Sequence, residues 1–226
     1  MNKTKIEWTD ITLNPIKGYC PMNCSYCYAH DFYNRFKWDK TIRFVPEVLD
    51  EIKKLKEPTK IFLCSTIEMF HPNIPQTFRD EIYETIEKYP QHTFQILTKC
   101  SQNTIQIHQP KNVWLGFSST GEGWETLNPK IFNIQDARIR FMSLEPFLNR
   151  FCYEDLIEIE WDDLDWVIIG GQTGKRKVIP TKVKIDDVIK RCRDYGVSVF
   201  IKDNCNYPEK IQEFPEAVKG LIQGKV

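Results

Sequence analysis

Short apolar runs rich in β-branched and aromatic residues alternate with stretches of helical spacing along most of this chain. This alternation predicts βαβ units, and therefore an α/β fold with a parallel sheet. The six runs cover residues 61–64, 93–97, 113–117, 138–144, 166–169 and 197–201, and a first strand is expected near residues 12–18. About six or seven such units are too few for a closed eight-stranded barrel. An open or partial barrel fits best, a doubly wound sheet is its rival, and the pattern alone does not separate them.

Three apolar stripes identify helices between the predicted strands. Pro46 and Pro75 are placed where helices can begin, and Gly196 is placed where the last helix should end. Each stripe predicts a helix that packs one face against the sheet. The stripes comprise Val48, Ile52 and Leu55, then Phe78, Ile82 and Ile86, and finally Val183, Val188 and Cys192.

Polar or glycine residues follow nearly every predicted strand. Because parallel α/β sheets carry their active sites at the carboxyl ends of the strands, these residues are candidates for one shared site. Simpler roles are also open: the two serines can cap a helix, and the two glycines can form a turn. The candidates are Ser65, Thr66, Glu68, Thr98, Lys99, Ser118, Ser119, Glu145, Gly170 and Gly171.

Three of the eight cysteines lie close together, as Cys20-x3-Cys24-x2-Cys27. Such short gaps let three thiolates surround one inorganic core, and thiolate is the ligand that iron–sulfur clusters use. A 4Fe–4S cluster held in this way keeps one iron open for a chelating small molecule. Two alternatives stay open: a zinc ion with His30 as its fourth ligand, and cysteines that only pack. The other five cysteines are scattered and are interpreted as small buried hydrophobic residues.

Composition limits the partners and the location. The chain has 226 residues and a formal net charge of zero, so no global field favours nucleic acid or an anionic membrane. No apolar run is long enough to cross a bilayer, and the first residues lack the apolar stretch of a secretory signal. We therefore expect a cytoplasmic protein with reduced thiols, folded as a single domain over residues 1–226.

The cysteine spacing, with the aromatic Tyr26 before the last cysteine, resembles the signature of the radical S-adenosylmethionine superfamily. Other segments extend the resemblance over nearly the whole chain. They resemble a phage-associated radical S-adenosylmethionine family of unknown function and, more distantly, spore photoproduct lyase. These segments are residues 5–10, 14–15, 69–71, 96–99, 113–116, 143–146 and 166–171.

The resemblance implies a partial (β/α)6-type barrel whose parallel sheet is open on one side, with the cluster on a loop at residues 18–30. It implies that Cys20, Cys24 and Cys27 ligate a 4Fe–4S cluster and that the open iron binds S-adenosylmethionine. One electron then splits this cofactor to a 5′-deoxyadenosyl radical. An external one-electron donor is therefore expected as a partner.

The same resemblance implies roles for the residues at the strand ends. Tyr26 and Tyr28 would flank the cluster and the adenine. Ser65, Thr66 and Glu68 would accept hydrogen bonds from the methionyl amine, although the Gly-Gly-Glu usual at that place is absent. Ribose, carboxylate and adenine contacts would fall to Thr98, Lys99, Ser118, Ser119, Glu145, Gly170 and Gly171.

The sequence constrains the substrate least. An acidic stretch at residues 154–165 precedes a basic stretch at residues 175–193. A basic rim suits a phosphate-bearing substrate, and the resemblance to photoproduct lyase favours nucleic acid or a nucleotide, whereas solvated surface charge is the simpler interpretation. The chain is short for the superfamily, so a large substrate or a partner protein is expected to close the barrel. The alternatives to an enzyme are a non-catalytic iron–sulfur electron carrier or sensor and a zinc-stabilised binding module.

Overall fold

The computed structural model describes residues 4–104, 107–120, 137–148, 156, 159–174 and 177–215. The strands are β1 Ile11–Leu13, β2 Ile16–Lys17, β3 Arg43–Phe44, β4 Lys60–Leu63, β5 Thr93–Thr98, β6 Val113–Ser119, β7 Ile139–Leu144, β8 Trp166–Ile169 and β9 Ser198–Ile201. The α-helices are α1 Tyr28–Phe36, α2 Gln76–Lys88 and α3 Lys182–Asp194. A long 3-10 helix covers Pro46–Lys54, and shorter ones cover Ser101–Asn103, Trp161–Asp163 and Asp203–Cys205.

Seven strands form one parallel sheet in the order β1-β4-β5-β6-β7-β8-β9, while β2 and β3 pair separately and antiparallel. Each strand of the large sheet is added beside the one before it, and the order never reverses. A doubly wound sheet requires such a reversal, whereas a barrel does not. The predicted fold class, a partial barrel with a parallel sheet open on one side, is therefore confirmed. Each of the six predicted apolar runs overlaps a strand.

The helices follow the predicted stripes in part. In α2, Ile82 and Ile86 are buried as predicted, and Gly196, with a positive φ of 69°, follows the end of α3. Two details differ. The first stripe lies on a 3-10 helix that buries Leu49 and Ile52. In α3 the buried face is formed by Ile185, Val188 and Cys192, because these residues repeat every three or four positions, and Val183 is 68% exposed.

Two compact units can be distinguished, Met1–Leu115 with Asp136–Arg138 and Gly116–Gln135 with Ile139–Val226. The first buries β4 and β5 side chains such as Ile61 and Phe94, and the second buries β8 and β9 side chains such as Val167 and Val199. The single domain over residues 1–226 stays a prediction. In the part of the chain that is described, no helix combines the length and apolar character needed to cross a membrane.

One ion pair of the second unit makes its stability depend on pH. The Arg193 guanidinium donates to both Glu213 carboxylate oxygens over 2.8 and 2.6 Å, and the Val199 amide donates to Oε2 over 3.0 Å. Burial raises the pKa of Glu213, but these donors outweigh it and hold the pKa below its usual value. The stabilisation is therefore complete above the unfolded pKa and is lost as the pH falls through the folded pKa.

We expect Glu213→Gln to lower the free energy of unfolding by about 1 kcal/mol at pH 7, since the pair is partly exposed. The difference from wild type should shrink toward zero at a pH below the folded pKa. Urea unfolding at pH 7 and at a pH below the folded pKa measures this difference. The control is Glu47→Gln, at an exposed residue. A difference of equal size at both pH values would contradict the assignment.

Candidate functional site

The three clustered cysteines lie on the loop between β2 and α1. Cys27 is the N-cap of α1, and its amide donates to the Cys24 carbonyl over 3.1 Å. Cys20 is buried, whereas Cys24 and Cys27 are half-buried. The Cys27 thiol interacts electrostatically with the thiols of both Cys20 and Cys24. The loop therefore brings the three predicted ligands together.

Backbone amides surround two of these sulfurs. The Glu68 amide donates to Cys20 Sγ over 3.4 Å. Burial raises the pKa of the Cys20 thiol, and the Glu68 and Met22 amides oppose this rise. Burial likewise raises the pKa of Cys27, opposed by amides in the first turn of α1. Because amide dipoles stabilise thiolate, the loop is suited to sulfur ligands that carry negative charge.

Gly18 and His30 hold the cysteine loop in place. Gly18 has a φ of 125°, its amide donates to the Tyr33 hydroxyl over 2.8 Å, and a Cβ there would lie 2.7 Å from the Ile42 Cα. The His30 ring is stacked on Tyr19 with centroids 3.9 Å apart, and its Nε2 lies 3.1 Å from the Cys20 carbonyl oxygen. The His30 side chain therefore contacts the backbone of the cysteine loop.

Gly18→Ala should disturb the cysteine loop directly, because only glycine fits both the positive φ and the contact with Ile42. We expect a loss of roughly 2–4 kcal/mol in the free energy of unfolding, combining backbone strain and overpacking. Iron binding after reconstitution should fall as well. Chemical denaturation and iron analysis measure the two effects, with Gly174→Ala as control, since that glycine also has a positive φ but nothing within 4 Å of its Cβ position. Equal effects of both substitutions would contradict this role of Gly18.

Within the described ranges, no three His, Cys, Asp or Glu side chains converge as ligands of one metal ion do. The 4Fe–4S cluster and the zinc ion with His30 as its fourth ligand both stay predictions.

The Glu68 carboxylate ties the loop after β4 to the end of β5. It is buried, and Oε1 accepts hydrogen bonds from the Thr98 hydroxyl over 2.8 Å and the Phe70 amide over 3.0 Å. Oε2 accepts from the Lys99 amide over 2.6 Å. Burial raises the pKa of Glu68, with these donors acting in the opposite direction. Since the adjacent Glu68 amide binds Cys20, this carboxylate positions the cysteine loop.

Lys99 carries a positive charge close to the cysteine loop. Its Nζ lies 5.7 Å from the centroid of the Tyr26 ring. Burial lowers the pKa of Lys99, and the Cys24 thiol is the largest of the influences that raise it. A cation beside three thiolates offsets the negative charge that they concentrate. Tyr26 and Lys99 therefore lie together next to the cysteine loop, and their predicted contacts with the cofactor stay predictions.

Ser65, Thr66 and Tyr28 form a second group of polar residues in this unit. Strand β4 leads into Cys64, which has a positive φ of 54° that non-glycine residues rarely adopt, and the chain turns there. The Ser65 and Thr66 hydroxyls donate to Asn14 Oδ1 over 3.1 and 3.4 Å, and the Tyr28 hydroxyl donates to the Ser65 carbonyl over 2.9 Å. Asn14 follows β1 and was not among the predicted site residues.

Cys100 is a further sulfur that the cysteine spacing does not indicate. It is buried just after β5, and its Sγ lies 3.6 Å from Met22 Sδ within the cysteine loop. Burial raises the pKa of its thiol to about 12, and Cys20 and Cys24 contribute to the rise. A fourth thiol thus lies near the three predicted ligands.

In the second unit, the predicted Glu145 forms an ion pair with Lys202, which follows β9. A Cβ on Gly170 would lie 2.9 Å from Glu145 Cγ, so the absence of a side chain there makes room for this pair. The Gly171 amide and carbonyl are bound by the Asn204 side chain over 3.0 and 2.9 Å. Lys202 and Asn204 follow the predicted strand at residues 197–201, but neither was among the predicted site residues.

The two predicted serines of this unit lie at the end of β6. Ser118 is half-buried and Ser119 is buried. Among the residues that the structure describes, the Ser119 hydroxyl has no hydrogen-bond partner. A buried hydroxyl without a hydrogen-bond partner can bind another molecule. The predicted contact of Ser119 with a cofactor stays a prediction.

The fold is similar to that of two structures of spore photoproduct lyase. One, a double mutant with bound AdoMet and dinucleoside spore photoproduct, is 12% identical with a TM-score of 0.54, over 84% of this chain and 62% of that chain. The other, complexed with dinucleoside spore photoproduct, is 10% identical with a TM-score of 0.56, over 89% of this chain and 79% of that chain. At these identities the similarity shows a shared fold.

The family follows from the sequence itself. The profile of a family described as protein of unknown function, DUF5131, matches residues 3–225, and the chain belongs to this family. No curated protein sequence matches the chain significantly. The chain spans less than two thirds of the length of the first photoproduct lyase structure.

Proposed function

We propose that this protein is a radical S-adenosylmethionine enzyme in which Cys20, Cys24 and Cys27 hold a 4Fe–4S cluster with one open iron. The observation that carries the proposal is the placement of three cysteines on one loop, where the Glu68 amide donates to Cys20 Sγ over 3.4 Å and Cys27 is the N-cap of α1. Similarity in fold to spore photoproduct lyase, one structure of which contains AdoMet, supports it. When bound, the cluster supplies the electron for reductive cleavage of S-adenosylmethionine.

Different residues have different roles in this proposed function. The Glu68 carboxylate is occupied by three donors of the protein, so we assign it to positioning the cysteine loop. Tyr26 and Lys99 would flank the cluster, and the Ser65 and Thr66 hydroxyls, oriented by Asn14, would meet the methionyl group. The roles of Ser118, Ser119, Glu145, Gly170 and Gly171 stay predictions.

Nucleic acid or a nucleotide is our proposed substrate class. Both similar structures carry a dinucleoside spore photoproduct, which supports this class. The basic stretch of residues 175–193 lies mostly on α3, where Lys182, Lys184 and Lys190 supply positive charge. A phosphate-bearing substrate would be attracted by such a surface.

Cys100 favours a second candidate function. A cluster with four cysteine ligands has no open iron and serves electron transfer. Because the Cys100 thiol interacts electrostatically with Cys20 and Cys24, a fully ligated cluster is the specific alternative. The protein would then be an electron carrier or sensor that ignores S-adenosylmethionine.

One experiment separates the two candidates. The protein is purified without oxygen, reconstituted with iron and sulfide, reduced with dithionite and given S-adenosylmethionine, with and without short oligonucleotides. We expect 5′-deoxyadenosine by mass spectrometry, at a level well above that of the protein without iron. A reduced, iron-loaded protein that makes none under either condition would contradict the proposal and favour the carrier.

A further inference from the structure

Helix α1 exposes a row of aromatic side chains. Tyr28, Phe32 and Phe36 repeat every four residues and therefore share one face of the helix. Trp38 follows the helix, and its ring is stacked on Phe36 with centroids 5.5 Å apart. These four side chains, which we call the α1 aromatic patch, are 40% to 52% exposed.

The patch is unusual for this protein. Seven large hydrophobic side chains are exposed among the described residues, and four of them belong to the patch. Helix α1 also buries Ala29, His30 and Tyr33, so it already has a face for the core. Clustered exposed aromatics are typical of interaction surfaces. The patch is therefore not accounted for by folding.

The surroundings of the patch are positively charged. Residues 28–44 contain four Lys and Arg against two Asp, in a chain of zero net charge. Arg35 is exposed with its guanidinium carbon 5.3 Å from the centroid of the Phe36 ring, and Lys37 is exposed at the C-cap. Asp39 is paired with Arg43. An apolar centre with a basic rim complements an acidic partner.

The patch also begins at the predicted cluster. Cys27 is the N-cap of α1, and Tyr28 is the first helical residue. With a rise of 1.5 Å per residue, the patch extends roughly 12 Å along the helix from that cysteine. A protein seated on α1 would therefore be close to the cysteine loop.

We propose that the α1 aromatic patch is the docking surface for an acidic one-electron carrier protein that reduces the cluster. This inference rests on the proposed function, which needs an external electron. The carrier is oxidised by one electron and the cluster is reduced by one; no bond forms and no group is transferred. Small interfaces with charge steering suit such brief encounters.

The test compares two reductants of the reconstituted protein in stopped-flow absorbance measurements. Dithionite is small and needs no docking surface, whereas fully reduced flavodoxin is an acidic carrier protein and serves as the probe. We expect Arg35→Glu/Lys37→Glu and Phe32→Ala/Phe36→Ala each to slow reduction by flavodoxin at least about tenfold. Reduction by dithionite should be unchanged. The matched control is Lys53→Glu/Lys54→Glu on the exposed side of the 3-10 helix.

The outcomes are distinct. Loss of the flavodoxin reaction in both α1 variants, with a control at the wild-type rate, supports the proposal. Wild-type rates in the α1 variants would overturn it while leaving the proposed function intact. Loss of single-stranded oligonucleotide binding or of self-association in these variants, with unchanged flavodoxin rates, would also overturn it. A protein with no cluster that dithionite can reduce would overturn both proposals.

Discussion

Cys24→Ala is expected to abolish cluster binding while the protein stays folded. Cys24 is half-buried, so removing its thiol should cost under about 1 kcal/mol of stability. Under the proposed function, however, Cys24 is one of three protein ligands, and the cluster cannot form without it. Iron and sulfide analysis after anaerobic reconstitution should therefore fall from about four of each per chain to near zero.

The matched control for this prediction is Cys205→Ala. Cys205 is buried in the second unit, where its Sγ lies 3.4 Å from the Ile169 carbonyl oxygen. This variant should lose some stability but retain iron. A Cys24→Ala protein with wild-type iron content would show that the loop does not hold the cluster. Stoichiometric zinc in the wild-type protein would also contradict the assignment.

Glu68→Ala is expected to lower the stability of the protein strongly. The substitution removes the acceptor of three hydrogen bonds and leaves buried donors at Thr98, Lys99 and Phe70 without it. Leaving such groups unsatisfied should cost about 3 kcal/mol. For a chain of this length, that lowers the midpoint of thermal unfolding by about 6–12 °C.

This effect is best measured without iron, so that folding is separated from cluster binding. Glu87→Ala, an exposed residue of α2, is the matched control and should leave the midpoint within about 2 °C. Glu68→Gln retains one carbonyl acceptor and should fall between the two. A Glu68→Ala midpoint equal to that of the control would contradict the structural role of this carboxylate.

Local patterns predicted the strands and the grouping of the three cysteines because both depend on neighbours in sequence. The run at residues 166–169 coincides with β8, and the short spacing of Cys20, Cys24 and Cys27 can only place them on one loop. The strand order, in contrast, depends on contacts between distant segments. The pattern therefore left the doubly wound alternative open, and the sheet order decided against it.

Contacts between distant segments explain what the sequence did not reveal. The strand-end rule found Glu68, but its three donors are two to thirty-one residues away, so its occupied carboxylate could not be foreseen. Cys100 is distant in sequence from Met22, which it contacts. Asn14 was missed because the first strand was expected near residues 12–18, whereas β1 ends at Leu13. Lys202 follows the predicted strand at residues 197–201, but its pairing with Glu145 depends on the fold. The residue type of Phe32 does not predict that its side chain is exposed, because phenylalanine most often packs in a core.

The central claim is that three cysteines hold a cluster with an iron open to S-adenosylmethionine. The most direct test is electron paramagnetic resonance of the dithionite-reduced, reconstituted protein before and after S-adenosylmethionine is added. Binding at an open iron should change the g-values of the cluster signal, and the Cys100→Ala variant should respond in the same way. A cluster signal that S-adenosylmethionine leaves unchanged would contradict the account.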